Sequence, residues 1–116
     1  MDINKFSCTA NLTRNPELRH TPNGHPVSSF PVAINNIYKQ GEAFKEEVCF
    51  IDVVAFGRTA ELCSEKLKKG SPVAVDGRLQ QRRWEDDSGQ KRSKHEVIVQ
   101  QIKFLIKKET KEKAHA

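Results

Sequence analysis

The chain is poor in apolar and aromatic residues: hydrophobic types fill 36% of its 116 positions and aromatics 7%. So little apolar material builds only a small core, and the length suits one domain better than two. No apolar run approaches the roughly 20 residues that span a bilayer. The opening, Met1-Asp2-Ile3-Asn4-Lys5, has no apolar stretch of the signal-peptide kind. Membrane and secreted classes are excluded, and a cytoplasmic location is expected. Cysteines are few, namely Cys8, Cys49 and Cys63, with no CxxC pair. An odd total without that spacing excludes a disulfide framework and fits a reducing compartment. All three are expected to be buried structural thiols. His20, His25, His95 and His115 have no metal-ligand spacing with one another or with the cysteines. Neither a metal nor a cofactor is expected.

Catalytic patterns are missing as well. No GxSxG, HExxH, phosphate-cradling glycine loop or EF-hand pattern occurs. Asp86-Asp87 lead into Ser88-Gly89, which is hairpin-turn chemistry, and Cys63 falls in the apolar phase of a helical segment. The expectation is a protein without enzymatic activity.

What the chain does have is basic charge in particular places. Its formal net charge is +5. Residues 1–77 are balanced, and so are residues 95–106. Residues 78–94 carry +3 and residues 107–116 carry +2. Positive charge gathered in short stretches suits a polyanionic partner, although a solvated basic loop and tail would look the same.

Strand patterns dominate the rest. Residues 3–12 alternate, with Phe6, Cys8, Ala10 and Leu12 on one face. Thr21-Pro22-Asn23-Gly24 is a turn. Val27 to Asn36 forms a second strand, and Pro31 marks an edge or a bulge in it because it has no N–H to donate. Residues 37–46 read as a loop or hairpin tip. Val48 to Phe56 is the strongest strand, with Cys49, Ile51, Val53 and Ala55 facing a core. The opposite face, Phe50, Asp52, Val54 and Phe56, mixes large aromatics with a carboxylate. Thr59 can cap a helix over 60–69, which Gly70 and Pro72 end. Strands at 72–80 and 95–106 follow, joined by a long hairpin over 81–94. Five strands with one helix after the third match an all-β, five-stranded OB-fold barrel. The helix then lies between strands 3 and 4, and the long hairpin between strands 4 and 5.

Trp84, the single tryptophan, lies inside that basic hairpin between Arg83 and Glu85. A chain short of apolar residues would ordinarily spend its tryptophan in the core. Unpaired bases stack on exposed aromatic planes at about 1–3 kcal/mol each, while neighbouring cations follow the phosphates. Duplex readers instead fit a helix or ribbon to a groove, and helix 60–69 lacks a polar readout face.

Over about residues 2–106 the chain resembles the bacterial single-stranded DNA-binding proteins. The resemblance rests on Asn4-Lys5, Asn11-Leu12, Asn15-Pro16-Glu17-Leu18-Arg19 and Thr21-Pro22-Asn23-Gly24. It continues through the block FGRTAELCSEKLKKGSPVAVDGRL, then Arg83-Trp84 and Ser88-Gly89. It implies an OB-fold domain over residues 1–106 that coats single-stranded DNA in replication, recombination and repair, at the bacterial nucleoid. Stacking positions carry over to Tyr38, Phe50, Phe56 and Trp84, with Tyr38 and Phe50 where tryptophan is usual. Phosphate positions carry over to Lys5, Arg58, Lys69 and Arg83, with Lys39, Arg78 and Arg82 as neighbours. A homo-oligomer is implied, a homotetramer ahead of a dimer.

Three departures qualify this. Residues 107–116, KKETKEKAHA, form a short basic tail, expected to be disordered, where the family carries an acidic tip. Recruitment of replication and repair proteins through such a tip is therefore not expected. Ser7 and Thr9 make one face of the first strand polar, which weighs against the usual tetramer. Asp52 stands where a basic residue is common, and pairing with a nearby arginine is the expected remedy. Two other readings fit the same residues, an interaction module of a replication-restart or recombination complex and an RNA-binding OB domain.

Overall fold

Alternation of small β-branched residues with polar ones lets a strand bury one face and wet the other, and five segments of this chain do so around one core. The computed structural model describes residues 2–106. Its strands are β1 (Phe6–Leu12), β2 (Glu17–His20), β3 (Pro26–Gln40), β4 (Ala43–Phe56), β5 (Pro72–Glu85) and β6 (Lys91–Phe104). One helix, α1 (Gly57–Lys66), follows β4. β1 pairs antiparallel with β5, β5 with β6, and β4 with β3, while β4 and β6 run parallel. Pairing of Asn11 and Leu12 with Ala33 and Val32 closes the ring between β1 and β3. The expected OB-fold barrel is present.

Phe30 and Val32 of β3, Val53 and Ala55 of β4, Val73 and Val75 of β5 and Val97 of β6 fill the barrel. Each fully buried side chain of this size contributes about 1.5–3 kcal/mol. Ala60 and Cys63 of α1, with Leu67 just after it, belong to the same core. Ser64 Oγ donates to the fully buried Ser28 Oγ at 3.1 Å, so the polar atom under the helix is satisfied.

Several boundaries differ from expectation, each for a local reason. The helix begins at Gly57 and ends at Lys66, not at 60 and 69. Gly57 has φ +67, which swings the chain out of β4 three residues early, and Phe56 is the extended N-cap in place of Thr59. After Lys66 the backbone is tied elsewhere: Lys69 N–H donates to Asn15 Oδ1 at 2.7 Å and Gly70 N–H to Leu12 O at 2.8 Å. A sixth strand, β2, was not expected. All four of its residues are exposed, so it has no hydrophobic alternation, and it simply extends the edge of β3 over Pro26–Ser29. Pro31 sits where the outer partner of β3 changes from β2 to β1, and its carbonyl accepts from Thr13 N–H at 3.0 Å.

Both hairpins are longer than their loops suggested. Residues 37–46 are ladder up to Gln40↔Ala43, and Gly41 takes φ +64 at the two-residue turn. Residues 81–94 are ladder up to Glu85↔Lys91. Two arms therefore project past the barrel rim, in keeping with a longest dimension of 50 Å. The tail at 107–116 lies outside the described residues.

Candidate nucleic-acid interface

The period of two along β4 decides what faces outward. With Val53 and Ala55 fully buried, Phe50, Asp52, Val54 and Phe56 point away from the core. Phe50 is 68% exposed and Phe56 50%. Beside them in register stand Ala33, Pro31, Ser29 and Val27 of β3, and Glu96 and Ile98 of β6. Next across the sheet come Gln80 and Arg82 of β5, opposite Glu96 and Lys94, then Trp84 opposite Arg92. One face of β3, β4, β6 and β5 thus carries Phe50, Phe56, Trp84, Arg78 and Arg82. A hollow of about 350 Å³ lies at its centre, with Phe56, Val54 and Ile98 as floor and Arg19 and Arg82 among its walls.

Trp84 is 38% exposed, and the Arg82 guanidinium lies 4.6 Å from its ring centroid. Arg82 also forks onto Glu96, with Nε at 3.4 and 3.3 Å from the two carboxylate oxygens and Nη2 at 3.3 Å. Asp52 has a partner too, but it is the Lys94 ammonium and not an arginine. The parallel register between β4 and β6 sets Asp52 beside Glu96, so each carboxylate on this face holds its own cation.

Tyr38 and Arg83 are placed differently. Tyr38 falls in the phase of Phe30, Val32 and Ile34 carried past the rim, so it is on the reverse of the arm from Phe50. Arg83 alternates with Trp84 and donates to Gln81 Oε1 at 2.8 Å. Lys39 lies opposite Phe44 and shares the face of Phe50. Lys5 sits on the β1–β5 flank, 3.5 Å from Asp76, and Arg58 is 3.5 Å from Glu61 at the start of α1. Lys69 follows the helix, with its backbone held by Asn15. Among the described residues, Lys39, Lys69, Arg78 and Arg83 have no carboxylate partner within ion-pair distance.

The tip of the β5–β6 arm is organised by Asp86. Its Oδ1 accepts from Ser88 N–H at 3.0 Å, Ser88 Oγ at 2.9 Å and Gln90 N–H at 2.9 Å, while Oδ2 accepts from Arg92 Nε at 2.9 Å. The Arg92 guanidinium first, then these hydrogen bonds, hold its carboxyl below the usual range. The thiols are not all buried. Cys63 is, and burial pushes it up to about 11. Cys8 is half-buried and raised by burial and then by the neighbouring Cys49 thiol. Cys49 is exposed, because β4 has left the barrel there. No group of three metal-ligating side chains occurs among the described residues.

Phe44, Lys94 and Glu96 were missed from the sequence. Phe44 is 73% exposed and in phase with Phe50 and Phe56 at six-residue intervals, a spacing that was legible. Glu96 alternates with Ile98 at the start of the apolar run Val97-Ile98-Val99, which signals a carboxylate drawn into a packed face. Lys94 becomes Asp52's partner only through the parallel register, which no local pattern encodes.

Residues 3–105 match the model of the single-strand binding protein family. The chain belongs to that family. It is 44% identical over 106 residues to a single-stranded DNA-binding protein of Wolinella succinogenes, covering 90% of this chain and 65% of the relative. It is 42% identical over 106 residues to that of Helicobacter hepaticus, covering 90% and 62%. To that of Helicobacter pylori it is 40% identical over 115 residues, covering 98% and 64%. The chain thus spans a little under two thirds of the length of these curated family members. Among the described residues, no helix is long and apolar enough to cross a membrane.

Proposed function

We propose that the chain binds single-stranded DNA with little sequence preference and coats it during replication, recombination and repair, in the cytoplasm at the nucleoid. The observation that carries this reading is the shared face of Phe50, Phe56 and Trp84, three exposed aromatics bordered by arginines. The names of the family relatives support it. Phe50, Phe56 and Trp84 stack bases on that face, and Tyr38 does so where a strand wraps the β3–β4 arm. Lys39, Lys69, Arg78 and Arg83 neutralise phosphates. Lys5 and Arg58 join them by exchanging exposed carboxylate partners for phosphate, which costs little because such surface pairs are weak. The assembly that the resemblance implies is a homotetramer, with a dimer as the smaller form, and sedimentation equilibrium of the free protein distinguishes them.

Titration of Trp84 fluorescence with oligothymidylate at two salt concentrations tests the binding. Quenching that saturates, and a Trp84→Ala variant weaker by about 1–3 kcal/mol, are the expected results. Unchanged fluorescence together with normal binding by Trp84→Ala would remove the stacking assignment.

A further inference from the structure

An indole on a projecting arm has no core to hold it, and a stacking platform that wanders loses affinity to the entropy of fixing it. Trp84 is held instead by Arg82, 4.6 Å from its ring centroid. Arg82 is in turn held by Glu96, which is only 6% exposed and is the one buried charged residue among those described. Nε donates to both carboxylate oxygens and Nη2 lies 3.3 Å from Oε2, so two nitrogens of one edge face Glu96 and fix the guanidinium plane as well as its position. Resting on the strand-binding reading above, we propose that Glu96 is a positioning residue for Trp84. Its carboxylate clamps the Arg82 guanidinium over the indole, so Arg82 orients the platform and is not one of the cations that neutralise phosphate.

The balance of charges on this face supports the assignment. For Arg82 to turn to a phosphate it would have to leave a buried carboxylate unpaired, and a stranded buried charge is strongly unfavourable. Lys94 cannot replace it, because Lys94 is engaged with Asp52, beside Glu96 in register. Glu96, Arg82 and Trp84 therefore form a chain that runs from the middle of the sheet face to the arm.

The single tryptophan makes the chain directly observable. Arg82→Lys keeps the charge but has neither the fork nor the plane. Positioning predicts that this variant shifts the emission and lowers the anisotropy of Trp84 in the free protein. It also predicts at least a 5-fold loss of oligothymidylate affinity, with an unchanged slope of log affinity against log salt. A phosphate contact predicts wild-type emission and affinity, and that result overturns the proposal. Glu96→Gln is expected to alter Trp84 emission in the same direction and to steepen the salt slope by about 0.7 as Arg82 is released to a phosphate. Wild-type emission in a folded Glu96→Gln protein also overturns it. If Glu96→Gln does not fold, Arg82→Lys at the half-exposed arginine decides alone. A wild-type chain that fails to bind oligothymidylate overturns the strand-binding reading instead, and the free-protein emission still judges the clamp.

Discussion

Gly77 lies where β5 leaves no room for a side chain against β6. The ladder of β5 and β6 slips there, from Asp76↔Gln101 to Gly77↔Val99, and a Cβ on Gly77 would stand 2.1 Å from Ile98 O. That neighbour is backbone, so it cannot swing aside. Gly77→Ala is expected to destabilise the fold by about 1–3 kcal/mol or more, as forced overpacking does. A lowered urea midpoint with unchanged slope would register it, whereas a wild-type midpoint would mean that β6 yields freely. The slip leaves Gln100 of β6 without a partner, so β6 changes phase there while β5 alternates without interruption and keeps Arg78, Gln80, Arg82 and Trp84 on the outward face. Phe50 and Phe56 were legible as outward-facing from parity alone, because β4 pairs without interruption. The clamp on Trp84 was not, since Glu96 and Arg82 meet across two strands whose register depends on Gly77.

The two arms were the least legible elements. Apolar alternation stops at the barrel rim, so residues 37–46 and 81–94 read only as a loop or hairpin and not as continuous ladder, yet the ladders run on because the hairpin turns hold them. Gly41 does this for the β3–β4 arm, and Asp86 does it for the β5–β6 arm. Asp86 makes the second arm sensitive to acid. Its folded pKa lies below its unfolded one, so the stabilisation it adds is complete above the ordinary aspartate range near about 4. It is lost as pH falls through the lowered value. Amide resonances of Ser88 and Gln90 are therefore expected to titrate together below pH about 4, and Asp86→Ala should abolish that titration. Resonances that do not move would mean that backbone bonds alone form the turn. The edge strand β2 escaped notice for the same reason as the arms, being short and wholly exposed, although it contributes Arg19 to the wall of the central hollow.

Over the whole molecule, charge sets how binding responds to solution conditions. The body is balanced, and among the described residues the cations assigned to phosphate that have no carboxylate partner are Lys39 and Arg83 on the arms, Lys69 after the helix and Arg78 on the barrel face. With about six phosphates neutralised per chain, at a slope of roughly −0.7 each, affinity for oligothymidylate should fall about 300-fold between 50 and 200 mM salt. A fall of less than about 3-fold would place the lysines and arginines off the phosphate path. Strand order and helix position were readable, since each barrel strand buries its own apolar face. The closing contacts were not, because the parallel pairing of Asp52–Val54 with Glu96–Ile98 joins segments that no local signal relates.

The pairing of β1 with β5, separated by most of the chain, has a consequence for synthesis on the ribosome. Asn4 exchanges hydrogen bonds in both directions with the backbone of Leu79, at 2.8 and 2.9 Å across 75 positions. At roughly 5–20 residues per second, the first strand waits about 4–15 s for that partner to be translated. Until then Phe6–Asn11 have no β5 strand to pair with. The chain's small apolar content then works in its favour, because a thinly hydrophobic unpaired strand offers little for neighbouring nascent chains to adhere to.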